Sequence, residues 1–369
     1  MKCKRIAALL LALAGIVCLP GCARLFVTEY RTTTPYVDPQ PEEETTGEEI
    51  RSYAALTRAL RGMVANYTAQ GTLVFTDYDG IIADDLAKAC WELRSGTALG
   101  AYCVRDITYE TEQVVAYCEA DVVITYKRSA EDVKSIYSAQ TLSGVRDSVL
   151  SAMESNRRRF AIQMNSGGYD EGDIQSTLEK TMLTHPMLTV SIPEVEITTY
   201  GGETQQRIFE IRLDYPVSDD ALAARRSQLA EAVTAIVSGI DGDDLQRVTA
   251  ACAAVGGRLV RSGGSECTAY ELLKESRGES RALAMALKAV CDALDIPCEI
   301  VNGQLDSYPH MWNIVEIDGK RYHVDLTGYA GTLRFEPDNV VWGRCWWNTE
   351  EHKPCTSESL VWTEDSVAG

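Results

Sequence analysis

The chain has 369 residues, 45% of them hydrophobic and 24% charged, with 54 acidic against 35 basic side chains and a formal net charge of −19. That length holds two or three ordinary domains, each with its own core. The charge argues against a nucleic-acid partner, since phosphate recognition needs a basic surface and no Lys/Arg run follows the first few residues. The four histidines are scattered and no Cys-x-x-Cys spacing occurs, so neither a metal nor a cofactor is expected.

The first element is a leader. Lys2, Lys4 and Arg5 precede an apolar run from Ile6 to Leu19, which closes on "LPGC". A charged start, a short apolar segment and a small-residue cleavage site describe an export signal. The run is too short for a membrane span, which takes about 20 residues. "LPGC" resembles the lipobox of bacterial lipoproteins, which implies cleavage before Cys22, a lipid on its sulfur and attachment to the membrane at the bacterial cell surface. The plainer alternative is an ordinary signal peptide (1–21) with an incidental cysteine. Residues 22–48 are rich in Thr, Pro and Glu without hydrophobic periodicity, and predict a disordered acidic spacer.

Of the 12 cysteines, nine lie beyond Cys22, an odd number that leaves at least one unbridged. Cys90 and Cys291 fall within helical apolar patterns and read as small buried hydrophobes. Cys345 and Cys355 are a pair that could bridge.

Between residues 49 and 245 the pattern reads as two copies of one α+β unit, about 49–140 and 141–245. Copy one runs helix ("YAALTRALRGMVANY"), strand ("TLVFTDY"), helix ("ADDLAKACWELRS") and two strands ("CVRDITYE", "VVAYCEADVVITYKR"). Copy two repeats that order with "VRDSVLSAMESNRR", "RFAIQMN", "DIQSTLEKTMLTH", "LTVSIPEVEITTY" and "RIFEIRLDY". "YDG" and "YDEGD" recur at corresponding places. The carboxylate pair Asp84 and Asp85 opens a helix, where it suits the dipole better than acid–base work. This half is assigned binding or spacing, if any function.

Residues 246–369 change character. Helical patterns in "LQRVTAACAAVGGRLV", "CTAYELLKE" and "SRGESRALAMALKAVCDALDIPC" lead to a strand, "CEIVNGQ", and then to "YPHMWNIVEIDGKRYHVDLTG". Asp318-Gly319 is a strong two-residue hairpin signal. That turn pairs Ile317 with Lys320, Glu316 with Arg321 and Trp312 with Asp325. His310 then falls on the same face as Asp325, a diagonal neighbour about 7–8 Å away between backbones. Val315, Tyr322 and Val324 lie on the other face and suit a core. An imidazole beside a carboxylate is the base and orienting group of a nucleophilic triad. A surface His and a surface Asp on a wet sheet face is the plainer reading of the same pair.

In order and spacing, "TAYELL", the helix from Ser280, "ALDIPCEIV" and "HMWNIVEIDGKRYHVDLT" resemble the transglutaminase-like superfamily, over roughly Gln246 to Gly328. The resemblance implies a papain-like α+β fold with a Cys-His-Asp triad, in which His310 is the base and Asp325 its partner. Trp312, between them on the strand, becomes a candidate substrate-binding residue. The family's Gly-x-Cys-x-Gly opening is here Gly278, Glu279, Ser280, Arg281 and Ala282, so serine stands in the nucleophile's place and the second glycine is absent. A helix N-terminus and an imidazole can pre-ionise a thiol, but a hydroxyl must lose its proton during attack. Ser280 is also a good N-cap residue. Two readings stay open: a degenerate domain that binds peptide or cell-wall material, and a hydrolase or acyltransferase using Ser280, His310 and Asp325. Cys291 lies about 16 Å along the helix from Ser280, too far to substitute; Cys267 is a weaker candidate. Trp342, Trp346 and Trp347 either wall a groove or close a core.

Overall fold

The computed structural model describes residues 49–165, 168–201, 206–258, 262 and 264–364. The expected signal, Cys22 and the spacer to residue 48 lie outside the described residues. The fold is α+β, as its alternation of helices with antiparallel strands predicts.

The first unit comprises β1 (Glu49–Ile50), α1 (Tyr53–Ala65), β2 (Gln70–Phe75), α2 (Ile82–Trp91), α3 (Ala98–Cys103), β3 (Val104–Val114) and β4 (Tyr117–Tyr126). Its sheet has the order β1-β2-β4-β3, with β1 parallel to β2 and the other pairs antiparallel. β4 alternates buried and exposed residues, so one face meets the core. Leu56 and Leu60 of α1 and Leu86 of α2 pack there with Leu73, Phe75 and Val122.

After a short α4 (Ala130–Lys134), the second unit comprises β5 (Tyr137–Ala139), α5 (Leu142–Glu154), β6 (Arg159–Met164), α6 (Glu171–Thr184), β7 (Glu194–Tyr200) and β8 (Arg207–Asp214). Its sheet order is β5-β6-β8-β7, with the same strand directions as the first. The parallel strands β1 and β5, only two and three residues long, carry no periodicity that sequence reading could register. A half-buried ion pair joins the units: Arg128 Nη2 lies 2.5 Å from Glu210 Oε2, which also accepts from the Tyr200 hydroxyl at 2.8 Å.

The last helix of the expected second copy shares a core with the helices that follow it. Helix α7 (Asp219–Val237) falls in the expected second copy, but its Leu222, Leu229 and Val233 bury in one core with α8 (Asp244–Gly256), α9 (Ala269–Glu275) and α10 (Ser280–Ala293). The second sheet's own core is already closed by α5 and α6, so the single apolar stripe of α7 has to find its cover elsewhere. α10 is alanine-rich and buried on most sides, with Ala282, Ala284, Ala286 and Ala289 allowing close approach around Leu283, Leu287 and Val290. It packs on a sheet ordered β11-β10-β9-β13, built from β9 (Cys298–Leu305), β10 (Tyr308–Ile317), β11 (Lys320–Val324) and β13 (Cys345–Trp347). Between β11 and β13 come β12 (Thr332–Phe335), which pairs with β14 (Leu360–Thr363), and the single turn α11 (Asp338–Val341). A smaller cluster gathers Val301, Trp312, Ile314, Val341 and Trp347. Among the described residues no helix is long and apolar enough to cross a membrane.

Candidate functional site

The hairpin carries the register its turn dictates. Asp318 and Gly319 have φ of 50° and 74°, both positive as a type I′ turn requires, and Ile317 pairs with Lys320, Glu316 with Arg321 and Asn313 with Val324. His310 and Asp325 therefore share a face, and the imidazole Nε2 lies 2.8 Å from Asp325 Oδ2. The other carboxylate oxygen accepts from the Thr327 N–H at 2.9 Å. Burial alone would raise the Asp325 carboxyl, but the bonds from His310 and Thr327 outweigh it and hold the group below the usual carboxylate range. The carboxylate is thus the acceptor, and His310 Nε2 carries the proton it accepts. His310 is buried, whereas the Asp325 side chain keeps a wet edge.

Ser280 is the first residue of α10 rather than its cap. Glu279 occupies the N-cap position and makes no side-chain capping bond. The Ser280 Oγ instead accepts the Met311 N–H of β10 at 3.3 Å, and no hydrogen bond links Ser280 to His310 among the described residues. The two side chains do line one open cavity of about 530 Å³, together with Glu279, Arg258 and Tyr329. Gly278 has to lack a side chain, because a Cβ there would lie 2.5 Å from that of Ala282.

Trp312 lies beside His310 on the same strand, largely buried. Only 2% exposed, it lines a second cavity of about 440 Å³ that meets the first across Thr327, Gly328 and Tyr329. Its indole N–H donates to His323 Nδ1 at 2.8 Å, and its ring lies 25° from the His310 plane at 6.1 Å. Gly303 leaves room for it: a Cβ there would approach the Trp312 ring to 2.8 Å and the Trp346 carbonyl to 2.3 Å. Trp347 meets Trp312 edge-on at 5.9 Å in the core, while Trp342 and Trp346 stay exposed and line neither cavity.

His323 is the residue that sequence reasoning passed over. Its Nε2 lies 2.8 Å from Asp338 Oδ1, and Asp338 Oδ2 accepts the Cys355 N–H at 3.2 Å. The ligand atoms of His323, Asp338 and Cys355 lie within 4.8 Å of one another, close enough to consider a metal. An indole N–H can only donate, so Nδ1 must be the bare nitrogen and Nε2 must carry the proton. A metal on Nε2 would need that proton gone and the ring anionic. The cluster is a hydrogen-bonded array. Burial lowers the His323 pKa despite Asp338, which keeps the ring neutral.

Neither alternative cysteine reaches the site. Cys291 is fully buried, and Cys267 lines a separate cavity of about 490 Å³ beside Arg225, Glu271 and Arg277. Cys345 and Cys355 are both buried free thiols.

No protein-family model matches the chain, and no curated protein matches it by sequence. Three solved structures are similar to parts of it. A TGase aligns at 12% identity and TM-score 0.26, over 46% of this chain and 51% of that one. A candidate cysteine protease from Cytophaga hutchinsonii aligns at 13% and 0.25, over 47% and 71%. A candidate protease from Parabacteroides distasonis aligns at 10% and 0.22, over 69% and 39%. The chain spans about half the length of the TGase it matches.

Proposed function

We propose that the C-terminal unit is a transglutaminase-like domain retired from nucleophilic catalysis, which binds peptide or cell-wall material at the bacterial surface and is tethered there by a lipid on Cys22. The observation that carries this reading is the engagement of Ser280. Its Oγ accepts a backbone N–H from Met311, and His310 is turned to Asp325 with no bond to the hydroxyl. A serine needs its general base within hydrogen-bond reach, because it has no thiolate to fall back on. The cleft beside it is open, with room for a ligand of a few residues.

The competing reading is a hydrolase or acyltransferase using Ser280, His310 and Asp325. It is favoured by one fact: Ser280 and His310 line the same cavity at the N-terminus of a 14-residue helix. In that mechanism His310 would take the hydroxyl proton, Asp325 would stabilise the imidazolium, and N–H groups near the helix start would receive the oxyanion.

Fluorophosphonate labelling of the folded protein, read by intact mass and peptide mapping, separates the two. The binding reading expects no adduct, together with co-sedimentation on isolated peptidoglycan. A stoichiometric adduct on Ser280, lost in both Ser280→Ala and His310→Ala, would establish the hydrolase instead.

A further inference from the structure

The second cavity is lined by two arginines and two carboxylates that make no ion pair with one another among the described residues. Arg334 on β12 and Arg344 just before β13 both line it, both are exposed, and neither guanidinium makes a hydrogen bond or ion pair among the described residues. Their backbones are fixed. Arg334 pairs with Val361 in the β12–β14 ladder, while the Arg344 N–H donates to Val341 and its carbonyl accepts from Asp306. Asp325 also lines the cavity, but its oxygens are already engaged by His310 and Thr327. His323 is neutral there, for the reasons given above. Asp325 and Glu336 offset the two arginines in formal charge, but neither carboxylate pairs with either guanidinium among the described residues, which leaves both forks free to take a ligand's carboxylate.

We propose that Arg334 and Arg344 form a carboxylate subsite for a peptide whose adjoining residues occupy the Ser280–His310 cavity. The guanidinium fork matches a carboxylate in bidentate geometry, which a single ammonium does not. Leu305, Trp312 and Val341 give the cavity an apolar floor against which the last side chain of such a peptide packs. Thr327, Gly328 and Tyr329 line both cavities, so one extended ligand can cross from one to the other. The protein's net negative charge repels polyanions at longer range, which leaves a single, locally read carboxylate as the fitting group. Two sources offer that group: a free peptide C-terminus and an acidic side chain. The subsite rests on the reading of the cleft as a peptide-binding one.

The test uses calorimetric titration of the protein with four probes: acetyl-Ala-Ala-Ala, its C-terminal amide, acetyl-Ala-Ala-Asp-amide and acetyl-alanine. The free acid is expected to bind about tenfold or more tighter than the amide, as a charge-assisted hydrogen-bonded contact warrants. Arg334→Gln and Arg344→Gln each reduce that preference, and the double variant removes it. Both side chains are exposed and unpaired, so the variants fold. Recovery of affinity by the aspartyl amide assigns an acidic side chain as the source; its failure assigns the C-terminus.

Equal binding of acid and amide, or a preference that survives the double variant, overturns the subsite and leaves the peptide reading intact. Arginine-dependent binding of acetyl-alanine with no gain from the longer peptide keeps the subsite and overturns the peptide reading. No binding of any probe overturns both.

Discussion

Replacing His323 with phenylalanine tests how Trp312 is held. The ring volume is roughly kept, but the indole N–H loses its only hydrogen-bond acceptor at a position 2% exposed. An orphaned buried donor costs about 1–3 kcal/mol. Asp338 also loses a partner, but its side chain is 24% exposed and water can replace it, so the total should be about 2 kcal/mol. Urea unfolding followed by tryptophan fluorescence reads this region selectively, because of the six tryptophans only Trp91 lies in the first unit and the others follow residue 310. Trp312→Phe alone and the double variant complete a cycle. Removing both partners should cost less than the sum of the single changes, by about 1 kcal/mol. The sign of the pH effect is also determined. Burial holds His323 below its ordinary value of 6.5, so above that pH both folded and unfolded chains are neutral and the residue contributes no slope. Below it the unfolded chain takes up a proton that the folded one resists, and wild-type stability falls more steeply than that of His323→Phe. Additive single changes, or identical slopes below pH 6.5, would refute the proposed hold on Trp312.

Four further outcomes are expected. Ser280→Cys places a thiol at a helix N-terminus near an imidazole, so iodoacetamide at pH 7 should modify it faster than buried cysteines such as Cys90 and Cys355, whose pKa values burial raises to about 11 and about 12; a rate unchanged by His310→Ala counts against a shared site. Gly303→Ala should destabilise the C-terminal unit by about 2 kcal/mol through overpacking against Trp312 and the Trp346 carbonyl, and a Trp fluorescence spectrum and urea midpoint like the wild type's would contradict the packing described. Asp325 has a lowered pKa, so its stabilisation is present above the ordinary carboxylate pKa and lost as pH falls through the folded value; Asp325→Asn should be less stable at pH 7 and the gap should narrow as pH falls below the ordinary carboxylate range, whereas a constant gap would exclude the carboxylate's hydrogen bonds as the cause. Cys22→Ala, expressed in a bacterial host, should move the protein from the membrane to the soluble fraction and lose the mass of a lipid, and membrane retention without lipid would exclude the tether.

The hairpin was legible because its turn chemistry is local: Asp318-Gly319 admits one register, and that register brings His310 to Asp325. The same diagonal also joins Trp312 to His323, so this second contact was available from the pairing rule. What it lacked was a third member, since Asp338 arrives only after the β12 excursion and nothing in the spacing foretells it. The position of Ser280 at a helix start was legible too. Its partner was not, because a backbone N–H is the same in every sequence. The packing partners of α7 were not legible for a related reason: an amphipathic pattern shows that a face must be covered but not by which neighbour.

The cysteines set a condition on how this molecule comes into being. Apart from Cys267, those described are buried free thiols, and Cys291 of α10, Cys298 of β9 and Cys252 of α8 share one core, close enough for Cys298 and Cys252 to help raise the Cys291 pKa. A chain delivered unfolded through an export signal, as proposed, presents all of them at once to an oxidising exterior. Thiol oxidation takes seconds to hours, so the native state is reached when α8 and α10 dock on the sheet before that clock runs out. Acquiring this fold is then a race between collapse and oxidation. Reductant present during refolding should raise the native yield, while the same reagent added to the finished protein should change nothing.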